Sequence, residues 1–192
     1  LIDMAFEVRE QIDLASVDKI ILHTSHHTHS VIGTGSNDPQ KFDPKATRET
    51  LDHSAMYILA VALEDGRWHH DESYLPERAM RPETLALWKK IQTREDEEWE
   101  RRYHEPDPAS RAFGGRLEVI LANGTNINIS KDVADAHPNG ESPWKWSDYI
   151  RKFDSLLDQL IEAPERDRFI ETVAVLDGLG SDDINRLNPV LP

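Results

Sequence analysis

Asp52, His53 and Tyr57 are the residues of this sequence best spaced to act on a substrate together. An imidazole titrates near neutrality, and a phenol with a reference pKa of about 10 keeps a proton it can donate to a departing oxygen. On a helix, steps of four residues place Glu49, His53 and Tyr57 on one stripe, where their side chains can meet. Arg48 stands four residues before Asp52 and is expected to pair with it. From spacing alone a second account serves as well: a buried helix whose Tyr and His are hydrogen-bonded core residues.

Other groups carry weaker signals. His23, His26, His27 and His29 put four imidazoles within seven residues, which is ligand chemistry for a metal. No carboxylate stands among them in the sequence, so polar loop residues near a pocket mouth are the plainer expectation. His69 and His70 are adjacent, and one of them is expected to face solvent. Arg111, Gly114, Gly115 and Arg116 combine glycines that allow close backbone approach with arginines that grip carboxylates, or they simply open a strand. Asp135-Ala136-His137-Pro138 reads as a site loop or a turn.

The elements that must position these residues follow from pattern. Residues 17–24 have a β-branched apolar centre and read as a strand, and residues 25–44 as a long polar loop. Asp43 and Pro44 offer an N-cap and a proline at N1, so one helix is expected from 44 to 64, ending at Asp65-Gly66. Leu51, Ala55, Ile58, Leu59 and Ala62 make its apolar face. A short helix is expected over 82–91, with 94–106 charged and ambiguous. Leu117, Val119 and Leu121 alternate in a strand over 116–122. Asn123-Gly124 suggests a type I′ turn into a second strand at 125–130. Helices over 145–161 and 164–176 follow a Pro/Gly loop at 135–143. No βαβ alternation appears, so the expected fold is α+β: a small β-sheet packed with helices over residues 1–140, then a helical segment over 141–192.

Composition narrows the function classes. The chain has 192 residues, 38% hydrophobic and 30% charged, which is a globular balance. A formal net charge of −14 argues against nucleic acid, which is bound by Lys and Arg displacing counterions. No apolar run approaches the roughly 20 residues of a membrane span. With no cysteine, disulfides, thiolate metal sites and cysteine nucleophiles are excluded within this chain. Leu1 enters at once on an apolar helical pattern with no N-cap, which reads as a cut inside a longer protein.

Four separated segments carry a resemblance: DPKATRETLDHSAMYILAVALEDGRWHH (43–70), RYH (102–104), AFGGR (112–116) and VADAHPNG (133–140). Together they resemble the C-terminal portion of the MmgE/PrpD family. The resemblance implies a lid-type α+β domain over 1–140 and helices that return to a large helical domain lying upstream. It implies elimination of water from 2-methylcitrate to give 2-methyl-aconitate in propionate catabolism, with no cofactor and no metal. Another polycarboxylate lyase or isomerase activity of the family is the nearest alternative, and a non-catalytic dimerisation or ligand-binding module a further one. By the pattern His-Ser-x-x-Tyr, Tyr57 and His53 are the implied catalytic residues. Arg48 and Arg116 are candidate contacts for a small tricarboxylate. A homodimer in the cytoplasm, or in mitochondria if the source is eukaryotic, is the implied setting, with no nucleic-acid or membrane partner. The isolated chain is expected to be inactive.

Overall fold

In the computed structural model, which describes residues 1–157 and 160–190, the chain forms two units, Leu1–Ser142 and Pro143–Pro192. The first unit is built on a four-stranded sheet of order β2-β1-β3-β4, with β1 at Val17–Thr24, β2 at Ile91–Glu95, β3 at Gly115–Leu121 and β4 at Asn126–Lys131. β1 runs parallel to β2, pairing Ile20 with Ile91 and Leu22 with Thr93. It runs antiparallel to β3, pairing Ile20 with Val119 and Leu22 with Leu117. Period-two alternation therefore gathers Ile20, Leu22, Ile91, Leu117 and Val119 on one buried face.

Helices cover that face. The helices of this unit are α1 (Ile2–Arg9), α2 (His26–Val31), α3 (Arg48–Asp52), α4 (Ala55–Asp65), α5 (Pro76–Ala79), α6 (Pro82–Trp88) and α7 (Glu97–Tyr103). The centre of the core is α4, in which Met56, Tyr57, Leu59, Ala60, Val61 and Leu63 are all buried. A helix apolar on every side must lie inside the domain, and α1, α6 and the sheet pack against this one. At its end the Gly66 N–H bonds to the Ala62 carbonyl with φ at +62°. The positive φ calls for glycine at this position.

Four local expectations are corrected. The single helix over 44–64 is two, because Thr47 caps α3 and Ser54 caps α4, with a break at His53-Ser54. The loop over 25–44 contains α2, capped by Ser25. Residues 91–95, at the end of the helix expected over 82–91 and the start of the charged stretch, form the parallel strand β2. In the β3–β4 hairpin only Gly124 of the Asn123-Gly124 pair has positive φ, +86°, so the turn is not type I′. The Gly124 N–H bonds to the Leu121 carbonyl and the Leu121 N–H to the Thr125 carbonyl, the pattern of a three-residue loop with glycine in the left-handed position.

The second unit holds α8 (Trp146–Leu157) and α9 (Ala163–Ala174). The expected helix over 145–161 extends across residues 158 and 159, which lie outside the described residues. Phe153 and Phe169 stack with ring centroids 5.1 Å apart, and Arg166 forks onto Asp154 at 2.6 and 2.7 Å. Among the described residues no helix is long and apolar enough to cross a membrane.

Candidate functional site at the α3–α4 junction

The break between α3 and α4 frees backbone groups that other segments must satisfy. The buried Lys41 ammonium donates to the His53 carbonyl at 2.7 Å, and the Ala55 N–H bonds to the Ile32 carbonyl at 2.8 Å. Ser54 Oγ donates to the Lys41 carbonyl at 2.8 Å and accepts the Tyr57 N–H at 3.2 Å. The junction is thus locked from two directions, and it fixes where Arg48, Asp52, His53 and Tyr57 stand.

The structure separates His53 from Tyr57. His53 is exposed, and its Nδ1 lies 2.9 Å from the Glu49 carbonyl. A carbonyl only accepts, so Nδ1 carries the proton and Nε2 of the neutral ring holds the lone pair. Tyr57 is 0% exposed, packs on Trp88 with centroids 5.0 Å apart, and donates its hydroxyl to the Ser73 carbonyl at 2.5 Å. Burial pushes its phenol up to about 12, so it keeps its proton throughout the ordinary range. The side chains of Glu49, His53 and Tyr57 do not form the expected stripe, because the helix breaks between them.

Arg48 also departs from expectation. It makes no ion pair with Asp52, and none with any carboxylate among the described residues. Its guanidinium lies over the ring of Tyr74 instead, 5.3 Å from the centroid. Tyr74 is the residue that sequence reasoning passed over. It is buried, its hydroxyl donates to the Asp52 carboxylate, and Trp68 meets its ring edge-on at 5.3 Å. Burial first, and then the bond to Asp52, raise its phenol pKa far above the ordinary value. Tyr57 holds Ser73 and Tyr74 holds Asp52, so two consecutive residues of one turn are tied to the two helices of the junction. Aromatic Tyr74, set apart from the other motif residues in the chain, gave no local signal of this.

Arg116 joins a different neighbourhood. It lies on β3 with its guanidinium on the Asn128 side-chain oxygen at 2.7 Å and 3.9 Å from Glu118. It shares no hydrogen bond or ion pair with Arg48, His53 or Tyr57. Beside it, buried His23 pairs with Glu118 at 2.7 Å, and Glu118 also accepts from Asn126 at 2.7 Å. Those bonds, Asn126 first, hold the Glu118 carboxyl below the usual range.

The histidine group is divided as well. His23 ends up on a strand, while His26, His27 and His29 occupy α2. His26 pairs with Glu95 at 2.9 Å, His27 stacks on Tyr103 at 5.6 Å, and His29 bonds Thr93 at 2.7 Å. The carboxylates missing from the local sequence are therefore supplied by other elements. Among the described residues no three His, Asp or Glu side chains converge as metal ligands. His69 Nδ1 accepts the Asp71 and Glu72 N–H groups, which makes it a turn residue.

The AFGGR and VADAHPNG segments meet at a cleft of about 260 Å³, whose lining includes Thr24, Thr28, Phe113, Gly114, Lys131 and Val133. Lys131 is the cation there, and Glu7, Asp135 and Glu141 already engage it at 3.2, 2.8 and 3.0 Å. That cleft gives an anionic substrate little to bind. The α3–α4 junction, with an unpaired guanidinium and an exposed imidazole on one short helix and its C-cap, is the better candidate.

A mixed four-stranded sheet packed against a largely buried central helix makes the first unit an α+β domain. Residues 1–178 match the MmgE/PrpD C-terminal domain, and the chain belongs to the MmgE/PrpD family. Among its relatives is the mitochondrial 2-methylcitrate dehydratase of Yarrowia lipolytica (strain CLIB 122 / E 150), 36% identical over 77 residues. That stretch covers 40% of this chain and 14% of the relative, so the match spans a small part of the relative's length.

Proposed function

We propose that this chain is the C-terminal part of a hydro-lyase that removes water from 2-methylcitrate, and that the α3–α4 junction forms one wall of its site. Membership of the MmgE/PrpD family and the likeness to a 2-methylcitrate dehydratase support the reading. The observation that carries it is Arg48, an exposed guanidinium without a carboxylate partner among the described residues, five positions from the exposed His53. A tricarboxylate needs such cations, and a planar guanidinium binds carboxylate in a fork.

Elimination breaks a C–H and a C–O bond. A base takes the proton from carbon, the electron pair forms the double bond, and the hydroxyl leaves with a proton as water. His53 has the geometry of a base, since its Nδ1 is held by Glu49 and Nε2 carries the lone pair. Tyr57 is suited to donate, and acts on substrate only where a substrate oxygen takes the place of the Ser73 carbonyl. Arg116, on another part of the sheet, would contact substrate only as a second wall. The complete protein supplies the remaining groups, as a homodimer in the cytoplasm or the mitochondrion, and the 192-residue chain alone is inactive.

The test is dehydration of 2-methylcitrate by the complete protein containing this chain, followed by the ultraviolet absorbance of the conjugated product. Turnover is expected, with His53→Asn lowering kcat by on the order of 10²-fold or more and Arg48→Ala acting mainly on KM. No turnover by the complete protein, or full kcat in His53→Asn, refutes the assignment, as does turnover by the isolated chain for the claim that it is inactive.

A further inference from the structure

Arg48 and Asp52 stand four apart on one helix, the spacing at which an arginine and a carboxylate ordinarily join. They do not. The Asp52 carboxylate is taken by the Tyr74 hydroxyl, and the Arg48 guanidinium lies on the face of the same tyrosine. One side chain, coming from 22 residues away in the sequence, thus occupies both partners and keeps them apart. Tyr74 itself is held: it is buried, Trp68 meets its ring, and the carbonyl of the preceding Ser73 is tied to Tyr57.

We propose that Tyr74 is a positioning residue, which withholds Asp52 from Arg48 and so leaves the guanidinium available to a carboxylate of the ligand. This rests on the reading of the junction as a polycarboxylate site. The role belongs to the hydroxyl, because the ring face that carries Arg48 survives in phenylalanine. Without the hydroxyl, Asp52 loses its donor and the ordinary Arg48–Asp52 pair becomes available. An anion must then displace Asp52 before it can bind.

The experiment uses citrate as the probe and the 192-residue chain, with the Arg48 side-chain N–H resonance followed by NMR during titration. Four forms are compared: native, Tyr74→Phe, Asp52→Asn and the double variant. Native chain is expected to show a saturable shift at Arg48. Tyr74→Phe should weaken the apparent affinity about two- to fivefold, the range that breaking an exposed ion pair imposes. In the Asp52→Asn background the same tyrosine change should have no effect, since no carboxylate is left to capture Arg48. Equal weakening in both backgrounds, no weakening in either, or no response of Arg48 in the native chain overturns the proposal. A purely structural Tyr74 would give the first of these results, since its loss would not depend on Asp52. Dehydration of 2-methylcitrate by the complete protein is a separate measurement. Its failure with the citrate cycle intact would sink the dehydratase reading and leave the role of Tyr74 standing.

Discussion

The two ends of the α4 region treat an arginine in opposite ways. At the C-terminal end, Arg78 is buried and fully engaged: its guanidinium donates to Glu64 at 2.6 Å, to Asp65 at 2.9 and 3.0 Å, and to Thr84. At the N-terminal end Arg48 is exposed, stacked on Tyr74 and without a carboxylate among the described residues, although Asp52 lies one turn away. Burial explains the first arrangement, because a charge taken out of water must be paired and hydrogen-bonded. Nothing about folding requires the second. The contrast separates a cation that serves the fold from one that the fold holds ready.

The contrast is most exposed to failure in stability. Removing Arg78 as Arg78→Ala leaves Glu64 without its cation and Asp65 with only Arg81 at 3.9 Å, and a loss of about 3–5 kcal/mol is expected. Urea unfolding of the 192-residue chain measures it. A loss near zero would mean that Glu64 and Asp65 find solvent or another partner, and the distinction between the two arginines would disappear.

Tyr57 serves the fold as well, whatever part it takes in the proposed site. Tyr57→Phe keeps the ring on Trp88 but strands the Ser73 carbonyl, which should cost about 1–3 kcal/mol. Tyr57 then differs from a residue used only on substrate, whose hydroxyl could be deleted without a change in unfolding midpoint. An unchanged midpoint together with lost activity would return Tyr57 to a purely catalytic role.

Glu118 gives a smaller effect with a pH signature. Its bonds to Asn126 and His23 hold its folded pKa below the unfolded value. A depressed carboxyl contributes stability that is present above the unfolded pKa, about 4.3, and is lost as pH falls through the folded pKa. Glu118→Gln should therefore lower stability by on the order of 1 kcal/mol at neutral pH, and the difference from the native chain should shrink in acid. A difference that stays constant from neutral pH down to the acid limit would show that packing, not ionisation, is responsible.

How much of this was legible in the sequence depends on the range of the interaction. α4 was readable because its apolar residues run together and Gly66 ends it. The β3–β4 strands were readable from alternation. The break at His53-Ser54 was not, because Asp43-Pro44 and Thr47 offer equally good starts and the choice is made by Lys41 and the Ile32 carbonyl from outside the helix. β2 was missed because only Ile91 and Thr93 face inward and its partner β1 lies some 70 positions earlier. At the candidate site, Arg48 and His53 stood out by residue type, whereas the spacing that joined them to Asp52 and Tyr57 misled, because the helix breaks and Tyr74 takes Asp52. The role of Tyr74 could not be picked out, since it exists only where the turn after α4 folds back on α3.

The smallest expected effect is the one that most sharpens the comparison. Arg48→Ala removes a surface cation whose only described partner is an aromatic face, and such exposed contacts contribute about 0.5–1 kcal/mol at most. Folding should hardly register the change, while citrate binding by the chain, measured by calorimetry, should be lost. The two arginines then sort by experiment as they do by geometry: one change destabilises the chain and the other leaves its stability intact but its anion binding lost. If Arg48→Ala instead destabilised the chain as much as Arg78→Ala, the stacking on Tyr74 would be a structural bond in its own right. Arg48 would then serve the fold as Arg78 does, and not wait for a ligand.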